Sequence, residues 1–314
     1  MSEASCHVVS SRGILKACCF RYHLPVSSNN NIYSHNIATH PIFESGQVKM
    51  PRAPTLYVCS GAISYFIAHI LPSIKIPFVL VTGESVISVP DRPLEDLDPI
   101  LKNSLLQHWY SQNLILRHPK MTCMPIGLDY HTASEKSDLL QPHDKPPGQA
   151  DLMFQRDIRK QTPLIQEKIL MDVSSRSEHF SKRNRICFVN FGTQYPDRVD
   201  AHASMSPDLI VKCPVGTKRD DVWKQQSKYS FVISPFGLGI DCHRTWEALV
   251  LGCIPIVKRS PICVVFDDLP VLIVDEWRDL NASLLNKTLD DFSKKKFNMN
   301  KLTLRYWMTK MHSH

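Results

Sequence analysis

Residues 231–257 combine a buried apolar run with glycines, a cation and a carboxylate, a set that suits a phosphorylated ligand. The run 231–233 predicts a buried parallel strand. Gly237 and Gly239 follow it and let the backbone bend and come close to a ligand. The loop therefore stands at the carboxyl end of a predicted strand, where ligands bind in open α/β sheets.

A helix is predicted over 243–251, with Asp241 as its N-cap and Gly252 at its end. Arg244 and the N–H groups of the first turn suit a phosphate or diphosphate. Glu247 lies one turn beyond His243 and can accept hydrogen bonds from ribose hydroxyls.

Pattern alone leaves a second interpretation open, an ordinary strand–helix crossover with a surface Arg–Glu pair. A GxG without a third glycine is neither a Rossmann fingerprint nor a P-loop.

Further cations are candidates for binding the same anion. Arg198 follows the first strand of this half, Lys212 follows the run 209–211, and Lys258 ends the strand after the helix. Solvated surface cations are the alternative for each.

Composition limits the class of protein. The chain has 314 residues, 43% of them hydrophobic and 21% charged, which predicts one large or two medium folded domains. The net charge of +7 suits an anionic ligand, but the cations form no stripe interleaved with aromatics, so no nucleic-acid partner is expected.

Ten cysteines show no CxxC and no zinc spacing, so we expect buried thiols in a reducing compartment and no metal centre. No run of 18 apolar residues occurs, so no membrane span is expected. A cytoplasmic location, or the host cytoplasm for a viral protein, is the resulting expectation.

Strand-like and helix-like segments alternate in both halves, which predicts mostly parallel sheets. We predict an N-terminal α/β domain over 1–150, a linker and helix over 151–183, a ligand-binding α/β domain over 184–290, and a helix over 291–314 that packs back on the first domain. Within the first domain, 98–109 has helical spacing. Two α/β domains facing a cleft outline a GT-B glycosyltransferase, although other two-domain α/β enzymes share that outline.

Two segments resemble the exostosin-like glycosyltransferases, and more narrowly the soluble enzymes of this kind in large DNA viruses and algae. The first runs from Arg244 through EAL at 247–249 to GCIPI at 252–256, and the second is DLP at 268–270 with DEW at 275–277. The resemblance is clear over 188–277, weaker over 57–131, and does not extend to residues 1–50 or the C-terminal tail.

The resemblance implies a GT-B fold, two Rossmann-like domains facing a cleft, in which the C-terminal domain holds a nucleotide-sugar. It implies inversion at the anomeric carbon without a bound metal or other cofactor. Arg244 would contact the diphosphate and Glu247 the ribose. The predicted donor-binding residues are Ser234, Gly237, Leu238, Gly239, His243, Arg244, Glu247, Arg198 and Lys212.

An inverting transfer also needs a base that takes the proton of the acceptor hydroxyl. Glu84, at the end of a buried strand, is the first candidate, Asp129 the second and His131 the third. The segment after Gly83 lacks the second acidic residue expected from the family. A turn carboxylate is the alternative for both acids.

The sequence thus predicts an inverting, metal-independent transferase that moves a sugar from a nucleotide-sugar, UDP favoured over GDP, to a glycan hydroxyl. The alternative is a non-catalytic nucleotide- or glycan-binding module of the same fold.

Overall fold

Two separate all-parallel sheets organise the chain. The computed structural model of the protein describes residues 3–20, 52–91, 93–131 and 162–314. Within these ranges the first sheet has four strands in the order β1-β2-β3-β4, and the second has five in the order β6-β5-β7-β8-β9. The strands are β1 (Thr55–Cys59), β2 (Phe78–Gly83), β3 (Leu106–Ser111), β4 (Met121–Cys123), β5 (Asn184–Val189), β6 (Ile210–Lys212), β7 (Tyr229–Ile233), β8 (Ile254–Lys258) and β9 (Leu272–Val274). The predicted α/β class is confirmed, and the two sheets are compatible with two Rossmann-like domains.

Helices or helical turns connect most of the successive strands, as is usual for parallel pairing, and β3 joins β4 without a helix. They are α1 (Ser11–Ala17), α2 (Asp98–Leu101), α3 (Pro163–Ser175), α4 (Pro196–Ser204), α5 (Arg219–Gln226), α6 (His243–Val250), α7 (Ala282–Ser293) and α8 (Leu304–Met311). Short helical turns join β1 to β2: Ser60–Ala62, Ile63–Tyr65, Phe66–Ile70 and Leu71–Ser73. Further 3₁₀ turns are Glu3–Ser5, Leu94–Leu97, Phe180–Lys182, Pro207–Leu209, Pro261–Phe266, Trp277–Asp279 and Met299–Leu302. Local sequence explains where α3 begins. The Thr162 side chain accepts a hydrogen bond from the Ile165 N–H, and Pro163 is the first residue of the helix.

The second sheet is buried on both faces, which explains its near-continuous apolar strands. On β7, Val232 packs into a core shared with the first sheet, while Phe231 and Ile233 point to the opposite core. The shared core also contains Trp223 of α5 and Trp246 of α6. Apolar packing is therefore continuous from the first sheet to the helices that flank the second.

The helix predicted over 98–109 is wrong in its second half. Only Asp98–Leu101 is helical, and Leu106–Ser111 is the third strand of the first sheet. Trp109 and Tyr110 are aromatic residues that fit a pleated, buried surface, and both are buried in this strand. The predicted domain limit at 150 lies outside the described residues, as does the start of the predicted linker.

Two helices connect the halves. Glu167 of α3 accepts hydrogen bonds from the backbone N–H of Val8 at 2.7 Å and from the Tyr130 hydroxyl at 3.1 Å. The last helix α8 packs against α1, and the Tyr110 hydroxyl donates to the carbonyl of Lys310. Both ends of the described chain therefore contact the first half.

Asp241 forms a buried polar joint between the halves. Its carboxylate accepts hydrogen bonds from the Ile126 N–H at 2.8 Å and from Trp246 Nε1 at 2.9 Å. Its own N–H donates to Asn113 Oδ1 at 3.0 Å. Asp241 was predicted as the N-cap of α6, and this is wrong: the N-cap is Cys242, and no side chain caps it. Instead of capping α6, the carboxylate accepts a hydrogen bond from Ile126 in the other half.

Asp241 should make the stability of the fold depend on pH. Burial raises the pKa of its carboxyl from 3.8 to about 6, although its hydrogen bonds oppose the shift. The folded state then binds the proton more tightly than the unfolded state, so stability is lost as pH rises from about 4 to about 6. We expect the difference in unfolding free energy between the natural chain and Asp241→Asn to change by on the order of 3 kcal/mol across this window.

Urea unfolding at several pH values measures this difference. The exposed Asp208→Asn serves as the control and should follow the natural chain at every pH. A difference for Asp241→Asn that stays constant from pH 4 to 7 would contradict the assignment.

Candidate functional site

The strand order of the second sheet creates a crevice between β5 and β7. The chain leaves β5 for β6 on one side and returns to β7 on the other, so the loops after β5 and β7 run in opposite directions. In doubly wound sheets, ligands bind in this crevice, outside the carboxyl ends of the strands. The glycine loop (residues 234–242) follows β7, and the loop after β5 leads into α4 with Arg198. The predicted donor-binding loop therefore lies at the expected place.

The glycine loop is fixed at both ends and in contact with the first half. Ser234 is buried, and its hydroxyl hydrogen-bonds that of Thr245 at 2.8 Å. A Cβ on Gly237 would lie 2.9 Å from the guanidinium of Arg198, and one on Gly239 would lie 3.3 Å from the carbonyl oxygen of Val86. The absence of a side chain at Gly237 therefore leaves room for the guanidinium of Arg198, and its absence at Gly239 lets the backbone of the first half come close.

Arg198 and Arg244 lie together beside this loop. Arg198 donates from Nε to the carbonyl of Phe236 at 3.2 Å, and it stacks on Tyr195. Arg244 is 3.5 Å from the carbonyl of Pro235 and lies over the ring of Phe191. Among the described residues no carboxylate forms an ion pair with either guanidinium.

The electrostatics of this pair favour an anion. Burial lowers the pKa of Arg244 to about 10, and the nearby charge of Arg198 lowers it as well. The nearest acid in sequence, Asp197, is already used: its carboxylate accepts from the Phe236 N–H and from Trp277 Nε1, each at 2.8 Å. Arg244 is thus a buried cation close to a second one, a cost that the charge of Glu247 reduces and that an oxyanion beside the two guanidiniums would reduce further.

Glu247 is held by a cation that sequence reasoning missed. Arg219, the first residue of α5, contacts Glu247 Oε1 at 2.6 Å through Nη2 and at 3.2 Å through Nε. The same guanidinium donates to the carbonyl of Asp129 at 2.6 Å and to Gln166 Oε1 at 2.9 Å. Glu247 Oε2 has no hydrogen-bond partner within the part of the chain that the structure describes, so one oxygen is left as an acceptor.

His243 begins α6 and faces the first half. Its Nδ1 is 2.7 Å from the carbonyl of Gly127, which fixes the proton on Nδ1 because a carbonyl only accepts. Burial lowers the pKa of His243, so it is neutral at physiological pH. His243 was predicted to bind the donor, and the structure ties its Nδ1 to the other half.

Glu84 has the location predicted for it but is bound within the fold. It follows β2 with a φ of 52°, and its backbone N–H donates to the side chain of Gln112. Its carboxylate receives Arg12 Nε at 2.7 Å and the Ser11 hydroxyl at 3.3 Å, and its side chain is only 6% exposed. A role as base stays a prediction that would require this buried ion pair to open.

Asp129 and His131 lie in the β4 loop (residues 124–131) and contact each other. His131 Nδ1 is 3.1 Å from Asp129 Oδ1, and both side chains are about one-fifth exposed, at 22% and 20%. The ring of His131 meets that of His243 edge to face, with centroids 6.3 Å apart. The second and third candidate bases thus lie beside the first turn of α6.

The remaining predicted residues are more peripheral. Lys212 is exposed at the carboxyl end of β6, in register with Val189 of β5. Leu238 at the tip of the glycine loop is 67% exposed. Lys258 pairs with Glu276 at 2.8 Å and with Asp200 at 3.4 Å, which favours the surface interpretation for this cation. A donor contact by Lys212 or Leu238 stays a prediction.

Comparison of the chain with protein-family models and with curated proteins gives no match. In the described ranges, no helix is long and apolar enough to span a membrane. The same ranges contain no group of three His, Cys, Asp or Glu side chains that could hold a metal ion.

Inorganic pyrophosphate should bind the arginine pair. We expect Arg198→Gln and Arg244→Gln each to weaken pyrophosphate binding about 10- to 100-fold, because a hydrogen bond to a charged group contributes about 1.5–3 kcal/mol. Calorimetric titration measures the affinity, and circular dichroism checks that each variant is folded.

Arg185→Gln is the matched control, because Arg185 bonds Asn286 near the amino end of β5, at the opposite edge of the sheet. Equal pyrophosphate affinities for the natural chain and the three variants would exclude an anion site at this pair.

Proposed function

We propose that the protein is an inverting glycosyltransferase that uses a nucleotide-sugar, with UDP favoured over GDP, and transfers the sugar to a glycan hydroxyl. The observation that carries the proposal is the Arg198–Arg244 pair, without a carboxylate partner among the described residues, at the switch point of the second sheet. The exostosin-like pattern from Arg244 to Ile256 adds to it. The two-sheet architecture is compatible with a GT-B fold.

Donor binding follows from the chemistry of the crevice. The arginine pair and the backbone of the glycine loop take the diphosphate, helped by the N-terminus of α6. Glu247 accepts hydrogen bonds from the ribose hydroxyls through Oε2, while Arg219 holds Oε1 in place. Lys212, exposed at the same edge, attracts the anionic donor from solvent.

Sugar transfer is then a single displacement. The acceptor oxygen attacks the anomeric carbon, the bond from that carbon to the diphosphate oxygen breaks, and the electron pair leaves with the nucleotide diphosphate. Arg198 and Arg244 stabilise the negative charge that develops on the leaving group. This charge stabilisation is the task that a metal ion performs in other enzymes. The acceptor proton passes to a base on the first half, where Glu84 and Asp129 were predicted.

The first half supplies the acceptor side, because the loops after β2 and β4 face the glycine loop. Gly239 packs against Val86 of the β2 loop, and Asp241 binds Ile126 of the β4 loop. A glycan hydroxyl that enters between these loops would lie near both the donor and a carboxylate.

The proposal predicts that the protein binds UDP or GDP in the presence of a chelator. Calorimetric titration with both nucleotides measures this, and incubation of UDP- and GDP-sugars with a panel of glycans measures transfer. Failure to bind either nucleotide would overturn the proposal. Nucleotide binding without transfer or donor hydrolysis would favour the non-catalytic module.

Glu247→Gln should separate ribose recognition from diphosphate recognition. We expect UDP to bind about tenfold more weakly, the loss of a hydrogen bond of about 1.4 kcal/mol. Pyrophosphate should bind no more weakly than before, because the variant removes a negative charge that acts on Arg244. Titration of both ligands on the same variant measures the two effects.

Arg219→Gln is the control for loss of the Arg219–Glu247 ion pair, because it leaves the Glu247 carboxylate in place. An equal loss of UDP affinity in the two variants, or equal losses of UDP and pyrophosphate in Glu247→Gln, would count against a ribose contact.

A further inference from the structure

A groove of about 740 Å³ lies between helices α3 and α5, which pack against each other. The side chains that line it recur at one-turn spacing on each helix: Ile169, Asp172, Val173 and Arg176 on α3, and Asp220 and Lys224 on α5. Residues of the segments 177–184 and 227–228 close it where the chain enters β5 and β7. Its volume lies within the range of about 300–1,000 Å³ that is usual for sites of small ligands.

The groove begins next to the candidate site and runs away from it. Asp220, at one end, directly follows Arg219, whose guanidinium contacts Glu247. From there α5 continues for about 9 Å to its last residue. At the other end, the N–H of Asn184 donates to the carbonyl of Lys228 at 3.1 Å, where β5 and β7 begin. A ligand in the groove would therefore lie along the flank of the second sheet, from its carboxyl edge toward its amino edge.

Five exposed side chains of the groove carry charges of both signs that do not pair with each other. Arg176, Lys182 and Lys228 form no ion pair with any carboxylate in the described ranges. Asp172 and Glu178 likewise form none with a described cation. The groove thus offers separate hydrogen-bond donors and acceptors along its walls.

The remaining cations of the groove have partners within the fold. Lys224 pairs with Asp221 at 2.8 Å. Arg183 is buried and donates to the carbonyl of Leu251 at 3.0 Å and to the sulfur of Cys253 at 3.2 Å, so it caps the carboxyl end of α6. The carboxyl ends of α3 and α5 also lie at the groove, and their carbonyl groups carry partial negative charge. The field in the groove is therefore mixed rather than strongly positive.

This mixed lining suits a polyhydroxy ligand better than a phosphate or a polyanion. Carboxylates only accept hydrogen bonds, whereas guanidinium and ammonium groups only donate them. An anion would be attracted by Arg176 and Lys182 but repelled by Asp172. A hydroxyl both donates and accepts, so a row of hydroxyls can use both kinds of group at once. The half-buried Ile169 and Val173 add apolar surface for the C–H faces of sugar rings.

We propose that the groove between α3 and α5 binds a segment of a glycan chain, several sugars away from the reacting hydroxyl. The choice of a glycan rests on the proposed transferase function, and the groove adds that the acceptor is an oligosaccharide or polysaccharide rather than a single sugar. A chain held in the groove raises the effective concentration of its own end at the crevice. Acceptors too short to reach the groove gain nothing from it.

The binding test uses the full chain without nucleotide. An array of neutral and uronate-containing oligosaccharides identifies a ligand, and calorimetry then compares the natural chain with Arg176→Gln and Asp172→Asn. Both variants should bind the oligosaccharide about tenfold more weakly, because each loses a hydrogen bond to a hydroxyl, and both should bind pyrophosphate like the natural chain. Lys168→Gln is the matched control, since Lys168 is exposed on α3 but does not line the groove.

Acceptor length provides a second readout. Transfer is measured with whichever UDP- or GDP-sugar the natural protein turns over, on acceptors of increasing length. Arg176→Gln and Asp172→Asn should raise KM for the long acceptors about tenfold and leave KM for the shortest one, and kcat, unchanged.

The two groove variants also distinguish a glycan from a simple anion. Weaker binding by Arg176→Gln together with tighter binding by Asp172→Asn would indicate an anion site and overturn the glycan assignment. The proposal is equally overturned if the array shows no bound oligosaccharide, or if both variants bind it like the natural chain. Each of these results leaves nucleotide binding and transfer untouched. Absence of nucleotide binding, with glycan binding still weakened by both variants, would overturn the transferase function and keep the groove as a glycan site.

Discussion

The buried carboxylate of Asp241 is the constraint on which the arrangement of the two halves depends. Burying a carboxylate is costly unless hydrogen bonds replace its water, and Asp241 obtains them from Ile126 in one half and Trp246 in the other. Its N–H adds Asn113, whose side-chain amide in turn donates to the carbonyl of Ser85. Separating the glycine loop from the first sheet would therefore expose several unsatisfied polar groups at once.

This joint brings the strand-end loops of both sheets to one place. The loops after β2, β3 and β4 contribute Val86, Asn113 and Ile126, and each contacts the glycine loop. In a single doubly wound sheet, the switch point provides one wall of a ligand site. Here the carboxyl ends of the other parallel sheet lie opposite the switch point, so the predicted donor-binding residues and the predicted bases come from different parts of the chain.

Local sequence pattern was sufficient to predict much of the secondary structure. It failed where contacts with residues far along the chain decide whether a segment is a helix or a strand. The end of β7 and the start of α6 lie at the predicted residues, because the apolar run and the glycine loop after it have clear boundaries. The 98–109 segment matched helical spacing by chance, whereas pairing of Trp109 with β2 and β4 makes it a strand. No local feature marks Leu106 as the start of that strand.

The same distinction applies to the site. Arg244 and Glu247 could be found from one stretch, because a strand, a glycine loop and a helix start are consecutive in sequence. Arg219 and Arg12 could not, because their partners Glu247 and Glu84 are 28 and 72 residues away. The one available signal for Arg219 was its position in the half that carries the glycine loop.

Charge pairing divides the charged side chains of this region into two groups. Arg12 is matched by Glu84 and Arg219 by Glu247, and Glu167 is satisfied by backbone N–H groups and a tyrosine hydroxyl. Arg12, Arg219 and Glu167 are thus partnered within the fold and help to hold the halves together, while Glu247 keeps Oε2 as an acceptor. Arg198 and Arg244 differ, because carbonyl oxygens and aromatic rings are their partners among the described residues. Such contacts orient a guanidinium without neutralising it. The described structure thus gives Arg12 and Arg219 a carboxylate partner and leaves Arg198 and Arg244 without an ion pair, and this difference is the feature on which the proposed diphosphate site depends.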